Sequence, residues 1–89
     1  MEAYREIMIE FNRACTIKNI VRAGFENEYV IILDGELIDC KNPQTLVDAE
    51  HRMSNAMAES SKMHAQLVSE GISPDVLREV TLEINKTNY

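Results

Sequence analysis

The stretch from Asn42 to Gly71 constrains the fold of this chain most, because it predicts a single long helix. Asn42 suits an N-cap, Pro43 suits the first helical position and Gly71 supplies a C-terminal stop. Between them, apolar and small side chains recur at heptad spacing, which predicts an amphipathic helix over about residues 43–70. The predicted apolar face consists of Leu46, Ala49, Met53, Ala56, Met57, Ser60, Met63 and Leu67, with Val47 and Val68 at its margin.

The length of this helix suggests a partner. A straight helix over residues 43–70 would be about 42 Å long, whereas a compact domain of this size is only about 30 Å across. We therefore expect either a break near residues 59–62 or a second chain that covers the overhang, and we favour the second chain. The apolar face is then the interface of a homodimer or larger homo-oligomer, and its small residues would allow close approach of two helices.

Residues 29–40 predict a β-hairpin, since two apolar runs flank Asp34 and Gly35. An Asp-Gly pair suits a type I′ turn, in which both central residues have positive φ. The two-residue loop sets Ile32 opposite Leu37 and makes both faces of the hairpin apolar. Because an exposed apolar face of this size is unusual, we expect the long helix to cover one face. The N-terminal segment or another subunit would cover the other.

The N-terminal segment fits two structures. Alternating apolar and polar residues favour a strand over about residues 5–12 and a second extended piece over residues 16–22. A helix over the same segment is the alternative, but it places Ile9 and Ile17 on its polar side.

At the other end, Ser73 and Pro74 predict the start of a short C-terminal helix. A strand over residues 79–86 is the alternative. Together these features predict a single α+β domain over residues 1–89. A small antiparallel sheet, built around the 29–40 hairpin, would pack on the long helix and on the C-terminal helix.

Composition narrows the possible partners. The net charge of −6 argues against binding to duplex nucleic acid. The sequence shows no apolar run long enough for a membrane span, no secretory signal and only two cysteines, so we expect a cytoplasmic protein. Charge is also patterned locally, because a basic stretch precedes an acidic one. The basic stretch contains Arg13, Lys18 and Arg22, and the acidic stretch contains Glu26, Glu28, Asp34, Glu36 and Asp39.

No residue pattern indicates catalysis. The glycines are isolated, so the glycine-rich loops that bind phosphate are absent. His51 and His64 lie about 220° apart around the helix, which argues against a shared metal site, and we expect neither metal nor cofactor. Ser60 and His64 are four residues apart, but no oxyanion site accompanies them. We read this pair as a polar break in the apolar face.

The sequence therefore predicts a non-catalytic protein-binding module, a small acidic regulator or inhibitor that occludes a partner's surface. The acidic stretch is the expected contact with that partner. The alternative is an oligomer that holds an anionic metabolite or nucleotide between subunits, with Arg13, Lys18 or Arg22 as the anion-binding residues.

Overall fold

The computed structural model describes residues 1–23 and 30–87, which form three helices and one β-hairpin. The elements are α1 (Glu2–Arg22), β1 (Val30–Leu33), β2 (Glu36–Asp39), α2 (Pro43–Ser69) and α3 (Pro74–Thr87). Helices α1 and α2 lie antiparallel along most of their length. The hairpin packs near the C-terminal end of α1, and α3 packs near its N-terminal end.

The predicted strands over residues 5–12 and 16–22 are wrong, because both segments belong to α1. The sequence pattern disfavours the helix because it places Ile9 and Ile17 on the polar side. In the structure, α1 is contacted on more than one side: Ile17 is buried against Ile38 of β2 and Ala49 of α2. Ile9 remains 41% exposed. The apolar residues of α1 therefore do not form one stripe.

The prediction of an α+β domain is wrong for the same reason. Within the described residues the sheet consists of β1 and β2 only, and the helices α1, α2 and α3 make up most of the chain. The fold is mostly helical, with a hairpin attached to an antiparallel helix pair. Because the N-terminal segment is helical, it supplies no strands to the larger sheet that the sequence predicted.

Helix α2 is continuous over Pro43–Ser69 and starts at the predicted cap, where the side chain of Asn42 accepts a hydrogen bond from the Gln44 N–H. It neither breaks near residues 59–62 nor overhangs the domain. The molecule is elongated, with principal extents of 49 × 22 × 19 Å, because α1 runs beside α2. The length of α2 therefore does not require a second chain.

Two apolar clusters hold the elements together. Tyr4, Leu67 and Leu77 join α1, α2 and α3, and Ile17 with Ile38 and Ala49 joins α1, β2 and α2. Small side chains line the interface between α1 and α2, where Ala14, Ala49 and Ala56 are buried.

The hairpin and the C-terminal helix agree with the local signals. Leu33 pairs with Glu36 and Ile32 with Leu37, and Asp34 and Gly35 have φ values of 49° and 79°, as a type I′ turn requires. The predicted strand residue Tyr29 lies outside the described residues. Residues 79–86 are helical as part of α3, whose first turn is capped by a hydrogen bond from the Asp75 N–H to the Ser73 hydroxyl.

Candidate protein-binding surface

The hairpin is fixed to the helices through its inner face and its base. Ile38 is buried against α1 and α2, and Leu33 packs on the same cluster. At the base of the hairpin, the Thr45 hydroxyl donates a hydrogen bond to the Asp39 carbonyl over 2.9 Å, which ties β2 to the first turn of α2. The Lys41 N–H donates to the Asp39 carboxylate over 3.1 Å. The outer face of the hairpin is therefore presented on a defined support.

That outer face is apolar at its centre. Ile32 and Leu37 form a cross-strand pair, and each side chain is 70% exposed. The hairpin's inner face contacts both α1 and α2, so the N-terminal segment does not cover the outer face as the sequence allowed. Two large apolar side chains of opposite strands thus lie side by side in solvent. Their adjoining exposure makes this face a candidate for an interaction site.

The predicted acidic stretch is only partly assembled around this pair. Asp34 lies in the turn and Asp39 at the base of the hairpin, and both are exposed. Because strand side chains alternate between faces, Asp39 shares the outer face with Leu37. Glu36 instead shares the inner face and forms an ion pair with Arg13 of α1. Glu26 and Glu28 lie outside the described residues.

The basic residues Arg13, Lys18 and Arg22 all face carboxylates of the same chain. Arg13 pairs with Glu36. A single carboxylate, Glu50 of α2, lies 4.0 Å from the Lys18 ammonium and 3.3 Å from the Arg22 guanidinium. These pairs link α1 to the hairpin and to α2. They also neutralise much of the positive charge that an anionic ligand would need.

The predicted oligomer interface divides into buried and exposed parts. Ala49, Ala56 and Leu67 are covered by elements of their own chain, so they are not free to meet a second copy. Four further members, Leu46, Met53, Ser60 and Met63, are half-buried. Met57 is 54% exposed and lies towards the side of α2 that faces solvent.

A groove between α1 and α2 has a volume of about 300 Å³. Its lining includes Ile7 and Ala56 at the floor and Glu6, Glu10 and Arg52 at the sides. The Arg52 guanidinium donates hydrogen bonds of 2.6 and 3.0 Å to the Glu10 carboxylate, and this pairing raises the pKa of Arg52. The Glu10 and Arg52 side chains are thus paired with each other and link α1 to α2 across the groove.

Ser60 and His64, the pair that could act in nucleophilic chemistry, contact other residues rather than each other. The Ser60 hydroxyl donates to the Met57 carbonyl over 3.0 Å rather than to His64. The His64 ring instead lies 6.5 Å from the Tyr4 ring, centroid to centroid. Burial raises the pKa of the Cys15 thiol, an effect that the charge of Lys18 only partly offsets. A raised pKa disfavours the thiolate that would act as a nucleophile.

Residues 1–23 and 30–87 contain neither a metal-binding cluster nor a membrane-spanning helix. No group of three or more His, Cys, Asp or Glu side chains is arranged to hold a metal ion. No helix in this part of the chain combines the length and apolar character needed to cross a membrane.

Comparison of this chain with protein-family models, with curated proteins and with solved structures found no match. The candidate surface therefore rests on the geometry of the described residues alone. Its signal was present in the sequence, because the hairpin pattern makes both faces apolar and only one of them packs on the helices. The sequence pattern does not indicate the exposed side of α2, because it assigns Val47 and Val68 to the margin of the predicted apolar face.

Proposed function

We propose that this protein is a non-catalytic binding module that contacts another protein through the outer face of its hairpin. The observation that carries this proposal is the pair Ile32 and Leu37, each 70% exposed on a hairpin whose other face is packed. Burying two such side chains at the centre of an interface contributes about 2 kcal/mol or more for each. In the isolated chain both side chains are in contact with solvent, so this stabilisation is gained only when a partner binds.

The negative charge around the apolar pair indicates which kind of partner surface would be complementary to it. Asp34 and Asp39 flank the apolar pair, and the chain carries a net charge of −6. A complementary surface has an apolar patch bordered by Lys or Arg, and such a surface is attracted at long range by the acidic chain. We therefore propose a small acidic regulator that occludes a basic-rimmed apolar site on its target protein.

We further propose that this regulator acts in the cytoplasm. Neither Cys15 nor Cys40 is in a disulfide, and both are half-buried. Reduced, half-buried cysteines are usual in that compartment.

Comparing the proteins captured by the wild-type chain with those captured by two variants tests the proposal. The variant Ile32→Thr/Leu37→Thr removes the apolar pair and keeps residues with high strand propensity. The matched control is Leu82→Gln on α3, which removes a side chain that is 54% exposed near the opposite end of the molecule. We expect a protein that is captured by the wild-type chain and the control but not by the hairpin variant. Equal capture of every protein by all three chains would contradict the proposal.

The role of Asp34 and Asp39, which flank the apolar pair, is tested by measuring association with the captured protein after its purification. The variant Asp34→Asn/Asp39→Asn removes both charges, and asparagine retains the acceptor oxygen used at position 39 and tolerates the positive φ at position 34. We expect slower association at low salt and a smaller dependence of the association rate on salt. An unchanged association rate would exclude a basic-rimmed partner.

A further inference from the structure

Strand β1 has one edge with which no described residue pairs. The sheet in the described part of the chain consists of β1 and β2 only, so each strand has a second edge that faces away from the hairpin. The turn makes Leu33 and Glu36 a hydrogen-bonded pair, and Ile32 and Leu37 are then a non-hydrogen-bonded pair. The main-chain N–H and C=O of Ile32 therefore point away from β2, towards what we call the free edge of β1.

The corresponding edge of β2 is bordered by the chain itself. The Asp39 carbonyl accepts hydrogen bonds from the Thr45 hydroxyl over 2.9 Å and from the Asn42 N–H over 3.3 Å. A recess of about 200 Å³ lies between β2 and α2, and its lining includes Leu37, Asp39 and Thr45. Helix α2 thus lies beside β2, and the free edge of β1 is the edge that an added strand can reach.

The sequence of β1 does not protect its free edge from another strand. Sheet edges in soluble proteins usually carry a charged residue, a proline or a bulge that prevents further pairing. Strand β1 is Val30-Ile31-Ile32-Leu33, and its register with β2 runs without a bulge. Three of these four residues are β-branched, a type that favours strands. Edges of this kind either promote aggregation or accept a strand from a partner.

We propose that the free edge of β1 binds an extended segment of another protein, which adds a third strand to the hairpin. This inference rests on the proposed function and names the kind of segment that the partner supplies. The segment exchanges main-chain hydrogen bonds with Ile32, and its outward side chains continue the apolar surface of Ile32 and Leu37. Two copies with a net charge of −6 repel each other. Charge therefore favours a segment with Lys or Arg near Asp34, the exposed residue that follows β1.

Hydrogen exchange of single amides tests whether the edge is free in the isolated chain. Relative to its rate in an unfolded chain, the Ile32 N–H should exchange at least about 10-fold faster than the Leu33 N–H, because only Leu33 donates to β2. The Ile32 rate should not change between about 0.1 mM and about 1 mM protein. A slowly exchanging Ile32 N–H would overturn the proposal, because the edge would already be covered. Slowing that grows with protein concentration would also overturn it, since the occupant would then be a second copy.

A synthetic peptide serves as the probe for the added strand. It has about eight residues, the length of an ordinary strand, with alternating Val and Thr and a Lys at each end. At millimolar concentration it should slow exchange of the Ile32 N–H by about 5-fold or more and leave the Leu37 N–H unchanged. The control is the same peptide with every amide N-methylated, which cannot donate to β1. Unchanged exchange at Ile32, or equal slowing by the two peptides, would overturn the proposal.

Chemical synthesis of the 89-residue chain removes one N–H at a time. An ester oxygen in place of the Ile32 N–H keeps every side chain and takes away one donor to the added strand. This variant should bind the probe peptide about 5- to 10-fold more weakly, as expected for one lost hydrogen bond. The same replacement at Leu37 is the matched control and should bind as the wild type does. Equal weakening in both variants would overturn the proposal, because binding would then not depend on the edge of β1.

The ester variants also separate this inference from the proposed function. The protein captured through the apolar pair should bind the Ile32 ester more weakly than the Leu37 ester. If it bound both esters as tightly as the wild type but did not bind Ile32→Thr/Leu37→Thr, the outer face would be the contact without an added strand. This inference would then fail while the proposed function stood. If no captured protein depended on the apolar pair, the proposed function would fail and this inference with it.

Discussion

Small buried residues set the distance between α1 and α2. Ala14 and Ala49 are 0% and 1% exposed, and Ala56 is 5% exposed. A methyl side chain at these positions lets the two backbones come close, and it leaves no room for a larger group. The heptad pattern identified Ala49 and Ala56 as contact residues, but the contact is with α1 of the same chain rather than with a second copy.

Ala49→Leu should therefore destabilise the fold by about 1–3 kcal/mol, because the added atoms overpack a filled interface. Urea unfolding measured on dilute protein gives this difference. The control Ala65→Leu adds the same atoms at an exposed position of the same helix and should change stability by less than about 0.5 kcal/mol. Equal effects at the two positions would contradict the packing described for α2.

The hairpin turn depends on one glycine. Gly35 has a φ of 79°, and no heavy atom lies within 4 Å of the place where a Cβ would be. The cost of any side chain there is thus backbone strain rather than a clash. The turn is what holds Ile32 opposite Leu37 and so keeps the apolar pair together on the outer face.

Gly35→Ala should reduce the free energy of unfolding by about 1 kcal/mol, since a left-handed conformation costs a non-glycine residue about that much. Thermal or urea unfolding checks the value. Asp34→Asn is the control, because asparagine also tolerates positive φ. A Gly35→Ala variant as stable as the wild type would show that the turn is not of the type described.

The docking of α3 on α1 includes an ion pair that responds to pH. The Arg5 guanidinium lies 3.1 Å from the Glu83 carboxylate, and its hydrogen bond and charge lower the pKa of Glu83. A carboxyl group whose pKa is lowered on folding stabilises the folded state above its unfolded pKa. That contribution disappears as pH falls through the lowered value in the folded state.

Wild type and Glu83→Gln should therefore differ slightly in stability at pH 7 and converge at an acidic pH below the lowered pKa of Glu83. Both groups are at the surface, so the difference is small and should also shrink in high salt. Urea unfolding of the two chains at both pH values measures it. A difference that persists unchanged at low pH would mean that the pair does not contribute through charge.

Local sequence signals predicted α2, α3 and the hairpin correctly. The pattern of apolar residues in α1 instead predicted strands, which is wrong. Asn42 with Pro43, Ser73 with Pro74, and the Asp-Gly turn each carry information within a few residues. The structure of α1 depends instead on three different neighbours, so its apolar residues surround the helix and mimic strand alternation. A pattern of this kind is resolved only when the packing partners are known.

At the scale of the whole molecule, the elongated shape explains why the length of α2 does not require a second chain. A compact sphere of this size would be about 30 Å across, whereas the molecule is 49 Å long and α2 fits within it. The apolar pair on the hairpin was indicated by the sequence, since both faces of the predicted hairpin were apolar. The exposed side of α2, with Val47, Met57 and Val68, was not indicated, because only the structure shows which side of that helix α1 covers.

The affinity of the captured partner for the hairpin variant tests the central claim most directly. Calorimetric titration of the purified partner should show that Ile32→Thr/Leu37→Thr weakens binding by about 100-fold or more, as expected when two central apolar side chains are lost. Leu82→Gln should bind within about 3-fold of the wild type. Equal dissociation constants for the wild type and the hairpin variant would contradict the claim that the outer face of the hairpin is the binding surface.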